Sequence, residues 1–477
     1  MGGFILTDWL YYITLSVYMI TILGTVIIVI SENRNPVKSI AWVVVLIFLP
    51  VIGLIFYIFL GQDFRRHRMI SKKSLKKIQK NSFKLKNSLS SYNLTASTEQ
   101  QTALLFNLNQ SELSTGNKVE IFTIGKDFFD SLINHIEKAR HFIHIEFYIF
   151  QDDSLGNLFK NILIQKAKEG VEVRVIYDDV GCWSVKKKFF NEMIENGISV
   201  KPFLEVKLPA LANKINYRNH RKIVVIDGKT GYIGGMNIAD RYLDGLKWGK
   251  WRDTQIMIEG AAVQSLQKTF SVDWYFTARE LLWDKKYFQS CKHEGNIDIQ
   301  ISTSGPIGEW QEIMLAIFKA VTNAKKYVYI QTPYFLPTEG LTLALQAAAL
   351  ANVDVRLMIP AHSDSKIVQV GSFSYIRSML KAGVKVYFYK PGFLHAKMVA
   401  VDDELCTVGS ANMDFRSFEH NFEANAFIYN KDIAIQLKNI FLKDQQECDR
   451  ITLRYWKTRP IRQKAWESVI RLFSPLL

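Results

Sequence analysis

The sequence predicts an α/β protein in which an N-terminal two-helix transmembrane hairpin precedes two duplicated α/β units sharing one active site. Three observations lead there. Two apolar runs without charged residues open the chain. Segments of helical and strand periodicity then alternate in the same order twice. Each series closes on the pattern H-x-K-x-x-x-x-D, first as His220–Asp227 and again as His395–Asp402. The expected organisation is a hairpin over 1–62, a basic juxtamembrane linker over 63–115, α/β units over 116–290 and 291–455, and a basic amphipathic helix over 456–477.

A chain of 477 residues has room for two or three domains. With 48% hydrophobic residues and a formal charge of +15, it fits a globular body with a membrane part and an anionic partner, either nucleic acid or an acidic membrane surface. Cys182, Cys291, Cys406 and Cys448 are scattered without a C-x-x-C pair. That argues against a disulfide framework and a zinc site and fits a reducing compartment. His293, close to Cys291, reads as a surface residue.

The apolar runs cover Trp9–Ile30 and Ile40–Leu60. Each is about 21 residues, close to the ~20 that cross a ~30 Å hydrocarbon core as a helix. The first lacks the basic start of a signal peptide, and the second follows at once. Tyr11, Tyr12, Trp42 and Tyr57 suit the interfaces. Between Gly61 and Lys80 stand Arg65, Arg66, Arg68, Lys72, Lys73, Lys76, Lys77 and Lys80, whereas the basic residues of the connection Ser31–Ser39 are Arg34 and Lys38. The positive-inside rule therefore expects both termini in the cytoplasm, with the basic segment against anionic headgroups. A Ser/Asn/Gln-rich linker runs to about Ser114.

From Asn117 the pattern predicts helices over Phe128–Arg140, Leu158–Glu169 and Lys186–Asn196, with strands over Phe142–Phe150, Val171–Tyr177 and Ile198–Phe203. Strands Lys222–Ile226 and Gly231–Gly234 join at Asp227-Gly228. The segments at Ala139–Glu146, Gly170–Val175 and Asn196–Val200 return at Ala324–Gln331, Asn352–Leu357 and Ala382–Val386. The two motif histidines are closer together than these repeats are, which puts about ten extra residues in the first unit around Leu204–Asn216. In Thr458–Leu477, Ile461, Ala465, Trp466, Val469, Ile470 and Phe473 fall on one helical face, with Arg459, Arg462, Lys464 and Arg471 supplying charge. This is the pattern of a helix lying in a membrane interface or docked on the protein itself.

The candidate catalytic residues are His220, Lys222 and Asp227 with His395, Lys397 and Asp402. Alternate residues of an extended strand share a face, so each His lies beside its Lys. Two lysines suit phosphate oxygens, and the amides of Asn237 and Asn412, in turns at the same offset after each motif (Gly234–Asn237 and Gly409–Asn412, the latter with Ser410), add donors. One His can attack phosphorus while the other protonates the leaving alkoxide; a phosphohistidine divides the transfer into two steps. Asp253 and Glu423, at similar distances downstream of the two motifs, are candidates to orient the imidazoles. Asp227 and Asp402 sit at strand ends and read as holding the turn or the Lys. No acidic metal cluster adjoins either motif, and the scheme needs neither metal nor other cofactor.

These residues resemble the phospholipase D superfamily. Asn219–Lys222, Gly234–Asp240, Thr332–Phe335, Gly409–Asn412 and Asn421–Glu423, together with Asn35-Pro36, Trp42, Leu49-Pro50, Gly53, Tyr57 and Gly61, are similar to bacterial cardiolipin synthases over nearly the whole chain. The resemblance implies phospholipase D-like units in a multi-pass plasma-membrane protein with its catalytic part in the cytoplasm. It implies conversion of two phosphatidylglycerol molecules to cardiolipin and glycerol without nucleotide, with His220 as nucleophile, His395 as general acid and no nucleic-acid partner. Gln255 departs from the His expected after Trp251–Thr254, which puts a secondary polar contact in question. The rival readings are a hydrolytic phospholipase D, a nuclease drawn by the basic charge, and a non-enzymatic membrane scaffold; the scaffold predicts degraded motifs, and here both are intact.

Overall fold

The structure, a computed structural model, describes residues 2–31, 36–49, 53–54, 57, 95–206, 216–289 and 294–476. The basic segment Arg65–Lys80, Cys291, His293 and most of the insertion around Leu204–Asn216 lie outside the described residues. The chain divides into two compact units, an N-terminal helical one and an α/β body.

The N-terminal unit holds helices Gly2–Ser31 and Pro36–Phe48. Val29, Leu46 and Tyr57 are buried there against Trp42, Val43 and Leu54, with the Trp42 and Tyr57 rings edge-on at 5.4 Å. Thr21 and Thr25 donate their hydroxyls to the carbonyls of Val17 and Thr21, both at 2.7 Å, so neither presents an unsatisfied polar group. Among the described residues no helix is long and apolar enough to cross a membrane. After Phe48 the chain bends at Leu49 and is helical again at Gly53 and Leu54; most of the remainder of the second apolar run, to Leu60, lies outside the described residues.

In the body, helix Ala96–Asn109 precedes two series of strands. The first is β1 (Ser114–Phe122), β2 (Phe142–Phe147), β3 (Glu172–Asp178), β4 (Ser199–Phe203), β5 (Ile223–Ile226), β6 (Thr230–Gly234), β7 (Lys250–Arg252) and β8 (Gln255–Glu259). The second begins with β9 (Ile297–Ser304), β10 (Tyr327–Gln331), β11 (Phe335–Leu336), β12 (Asp354–Pro360), β13 (Lys385–Tyr389) and β14 (Gly392–Leu394). It ends with β15 (Met398–Val401), β16 (Leu405–Gly409), β17 (Met413–Asp414), β18 (Glu423–Tyr429) and β19 (Cys448–Ile451). A single 15-stranded sheet runs β19-β13-β12-β10-β15-β16-β18-β9-β1-β8-β6-β5-β2-β3-β4. Read outward from the β9–β1 junction, both arms have the same order, and β19 adds one antiparallel strand beyond β13. The duplication is therefore a pseudo-two-fold about that junction.

Each arm has its own core because its helices pack an apolar stripe on fully buried strands. In the first, Phe128, Leu132, Phe159 and Leu163 meet Ile145, Val175 and Val224. In the second, Ile313, Ile317, Leu341 and Ile376 meet Val328, Leu357 and Val399. The expected strand Phe142–Phe150 stops at Phe147, and Phe150 instead bridges Ile238 beside the turn after β6.

The C-terminal helix, Ile461–Leu472, is docked on helix Lys366–Ala382. Its inward side is Ile470 and Glu467, while Ile461, Trp466, Val469, Leu472 and Phe473 are exposed. The face expected to be continuous is thus divided: Ile470 packs against the protein, and the other bulky apolar residues look outward. Glu467 is inward because Arg459 pairs with it through two hydrogen bonds, at 2.6 and 2.9 Å.

Candidate active site

The two motif histidines precede their strands rather than lying in them, because β5 starts at Ile223 and β15 at Met398. Each segment is instead fastened to the opposite arm. His220 N donates to Phe422 O at 2.9 Å, and Phe422 N donates to Arg218 O at 2.8 Å. Likewise β14 pairs parallel with β7, and His395 N donates to Arg252 O at 2.7 Å. Each histidine is thereby laid beside the residue that precedes the other arm's carboxylate.

The side chains follow. His220 Nδ1 lies 3.0 and 3.1 Å from the two oxygens of Glu423, and His395 Nδ1 lies 2.6 Å from Asp253 Oδ2. The sequence places each carboxylate downstream of the histidine in its own arm; the fold exchanges them. With Nδ1 engaged by a carboxylate, the Nδ1–H tautomer is favoured and Nε2 keeps its lone pair.

Burial controls the charges. It pushes both imidazoles down to about 4: for His220 Glu423 opposes the shift and Lys222 adds to it, and for His395 Lys397 adds and Asp253 opposes. Burial raises the Glu423 and Asp253 carboxyls, but the neighbouring cations and hydrogen bonds outweigh it and hold both below the usual range. Desolvation likewise lowers Lys222 to about 7 and Lys397 to about 8, although nearby carboxylates work against it. Neither lysine is in the wall of the cleft; each ammonium donates to the carbonyl of its own histidine, and Lys397 Nζ is also 2.8 Å from His395 Nδ1.

His220 and His395 open together into a cleft of about 290 Å³. Its polar wall includes Arg218, Arg241, Arg416, Asn237, Asn412 and Asn421, and its apolar wall includes Tyr148, Trp251, Tyr334 and Val368. Asp364 and Asp414 also reach it, the latter with its carboxyl pushed up to about 6 by burial. Sequence reasoning missed the arginines, yet a signal exists: Arg241 and Arg416 stand at the same offset after Asn237 and Asn412. Arg241 Nε is buried without a hydrogen-bond partner among the described residues, as suits a guanidinium awaiting an anion.

The remaining predicted residues divide. Asn237 is already engaged, accepting from Ile149 N at 3.1 Å and donating to the Tyr242 hydroxyl, whereas Asn412 Oδ1 is buried without a partner among the described residues. Ser410 donates to Glu423, which also accepts from Asn421 Nδ2 at 3.2 Å. Asp227 and Asp402 are not in the cleft. Asp227 accepts from the backbone N–H groups of Arg140, His141 and Phe142 at 2.8 to 2.9 Å, and Asp402 from those of Lys325, Lys326 and Tyr327 at 2.6 to 2.8 Å. Of the two readings of these aspartates, the geometry shows contact with the turn and preceding strand, not with the lysine. Both adopt positive φ, 51° and 54°, at the ends of their strands, which Asp tolerates better than most residues. Gln255 also faces away: its Oε1 accepts from Met236 N at 3.2 Å, as Asn425 Oδ1 does from Ala411 N in the other arm.

Two sequence comparisons bear on this arrangement. The family described as "Cardiolipin synthase, PLD-like domain" matches residues 132–274 and 317–445, and "Phospholipase D-nuclease N-terminal" matches 19–62. The chain is 41% identical to the major cardiolipin synthase ClsA of Bacillus subtilis over 472 residues, covering 96% of this chain and 98% of that protein. The chain belongs to the cardiolipin synthase family. A cardiolipin synthase of Geobacillus kaustophilus is 40% identical over 462 residues, covering 94% of this chain and 91% of its own. A solved phosphatidylserine synthase of Haemophilus influenzae shares the α/β fold, with a TM-score of 0.58 at 14% identity, covering 79% of this chain and 98% of that one.

Two outcomes are expected. A Cβ at Gly235 would lie 2.1 Å from Asp253 Oδ1, so Gly235→Ala should push this carboxylate off His395 and lower kcat by about 10²-fold, the usual effect of an ångström-scale misplacement. Wild-type kcat in a correctly folded Gly235→Ala protein would contradict that geometry. Lys222 and Lys397 shed their charge as pH rises through about 7 and 8. The affinity of the free protein for tungstate, titrated by calorimetry, should therefore fall over this interval; a flat profile from acid to alkaline pH would show that these ammonium groups do not act on the cleft.

Proposed function

We propose that this protein is a membrane-anchored phosphatidyltransferase that converts two phosphatidylglycerol molecules into cardiolipin and glycerol. The observation that carries this reading is the pair of histidines on one cleft, each oriented by a carboxylate of the opposite arm. The cardiolipin synthase names of the relatives, at about 40% identity over most of the chain, supply the substrate class.

In the proposed reaction His220 Nε2 attacks the phosphorus of the first lipid, and the P–O bond to its glycerol headgroup breaks. His395 gives a proton to that leaving oxygen, releasing glycerol and leaving a phosphatidyl group on His220. A headgroup hydroxyl of the second phosphatidylglycerol then attacks the same phosphorus, its proton returns to His395, and the P–N bond breaks. The entering diester's negative charge favours the one protonated imidazole that this cycle needs. In this scheme Arg241 and Arg416 neutralise phosphate oxygens, beside Arg218, which also pairs with Asp178 at 3.3 Å, and the two lysines contribute through the low-dielectric wall. The assignment of His220 as nucleophile rests on the family resemblance and on the extra bracing of its partner Glu423, which Ser410 and Asn421 also contact.

The N-terminal unit is proposed as the anchor, a hairpin within residues 1–62 with both ends in the cytoplasm of a bacterial cell and a linker over 63–115 leading to catalytic units at 116–290 and 291–455. Support comes from the charge-free runs 9–30 and 40–60 and from the basic residues that follow them. On the helix Gly2–Ser31, Trp9, Tyr12, Ile20 and Leu23 are exposed apolar side chains, as a lipid-facing surface requires.

Purified protein in detergent micelles containing phosphatidylglycerol should form cardiolipin and an equal amount of glycerol without added nucleotide. Phosphatidic acid as sole product would make it a hydrolase, and no lipid turnover would reject the reading. Loss of either histidine should lower turnover by about 10²–10⁴-fold. With a lipid bearing a good leaving group, His395→Ala should still trap a phosphatidyl-enzyme while His220→Ala should not; the opposite pattern exchanges their roles. For topology, a cysteine placed at Asn33 should react with an impermeant thiol reagent added outside intact cells, and a C-terminal fluorescent protein should mature inside them. Labelling of Asn33→Cys only after lysis would invert the hairpin.

A further inference from the structure

A second pocket lies away from the two histidines, between helix Lys366–Ala382 and the C-terminal helix Ile461–Leu472. It has a volume of about 190 Å³ and is lined by Arg377, Lys457, Arg459, Lys464 and Arg471 with Glu467 as its acid; Ser374, Ser468 and Trp456 complete it. The acid is already spent, since Glu467 is held by Arg459. Arg471 lies over the Tyr375 ring at 4.4 Å and Lys464 Nζ donates to Lys457 O at 2.6 Å, contacts that fix both side chains without cancelling their charge. Four solvent-accessible cations are thus gathered around a space of several water volumes, and among the described residues that line it no carboxylate is left to pair with them, an arrangement that favours an anion entering between them.

The surroundings indicate the anion. Trp466, Val469, Leu472 and Phe473 on the same helix point outward as exposed apolar side chains, together with Tyr455. A helix with apolar residues outward and a cationic pocket at its flank matches the boundary of a bilayer, where headgroup phosphates lie just above the acyl chains. The pocket is also tied to the catalytic cleft. Helix Lys366–Ala382 contributes Val368 to the cleft and Arg377 to the pocket, ~13 Å apart along a helix rising ~1.5 Å per residue. The turn Ser474–Leu476 packs on helix Phe415–Glu419, which carries Arg416 of the cleft wall.

We propose that this pocket binds the phosphate of an anionic phospholipid headgroup, docking the C-terminal helix on the bilayer beside the mouth of the cleft. The inference uses the proposed function only for the identity of the abundant lipid nearby, and its test reads binding rather than turnover.

The full-length protein in neutral detergent is photolabelled with a phosphatidylglycerol analogue carrying a diazirine in its headgroup, and the modified peptides are mapped. Label is expected within 453–473 as well as on cleft peptides. Excess phosphatidylglycerol should compete at both, and phosphatidylcholine at neither. The double variant Arg377→Gln/Lys457→Gln removes two exposed side chains and should lower pocket labelling about thirtyfold while cleft labelling is unchanged. Lys457→Arg should keep the label, showing that charge and not folding is read. Millimolar inorganic phosphate displacing the pocket label as well as the lipid does would make this a free-anion site and overturn the lipid assignment. Label in the cleft with none in 453–473 would overturn the pocket itself. Label in 453–473 with none in the cleft would count against the proposed function and leave this inference standing.

Discussion

The exchange of carboxylates between the arms is the constraint on which the rest of the site depends. His220 needs Glu423 and His395 needs Asp253, so neither arm alone holds an oriented imidazole. Both pairs are buried, where an ionised carboxylate without its partner would be costly. The backbone bonds that lay His220 along Phe422 and β14 along β7 therefore do more than join the arms. They fix which nitrogen of each ring faces the cleft. The β9–β1 junction, at the centre of the continuous sheet, sets the distance over which this exchange can happen.

Duplication produced two similar brackets with different details. Glu423 reaches its histidine from beside Ser410, whose hydroxyl donates to it, while at the matching position Gly235 leaves just enough space for the Asp253 carboxylate. Arg221, between His220 and Lys222, is buried against Asp273 and donates through Nε to Glu423 O at 3.1 Å; its counterpart in the second motif is Ala396. The first histidine's partner is thus held by more bonds, and the second histidine has its own lysine closer to the ring. Such differences allow two equivalent inherited groups to take unequal parts in one reaction.

The positive charge of the chain is distributed with purpose. Three arginines reach the cleft, two lysines sit behind its histidines, and a further group gathers under the C-terminal helix. The C-terminal group lies beside exposed Trp466 and Phe473, on a helix packed against Lys366–Ala382, which also lines the cleft.

Much of this was legible in the amino-acid order. The repeated H-x-K-x-x-x-x-D, the turns ending at Asn237 and Asn412, and the acids Asp253 and Glu423 are local patterns, and the alternating periodicity marks each α/β arm because buried strands and amphipathic helices impose it. The partners of those residues are another matter. Asp227 and Asp402 belong to the same motif as the histidines yet bind backbone at the far end of the strand, since successive residues of an extended chain soon leave the cleft behind. Arg241 and Arg416 share an offset that only the cleft makes meaningful. The pairing of His220 with Glu423 and of His395 with Asp253, and the burial that depresses the pKa values of the two histidines, arise from contacts between segments far apart in the chain. Sequence by itself determined the chemical groups and their duplication; tertiary structure decided the partners, because strand pairing between the arms brings together residues whose spacing along the chain gives no sign of contact.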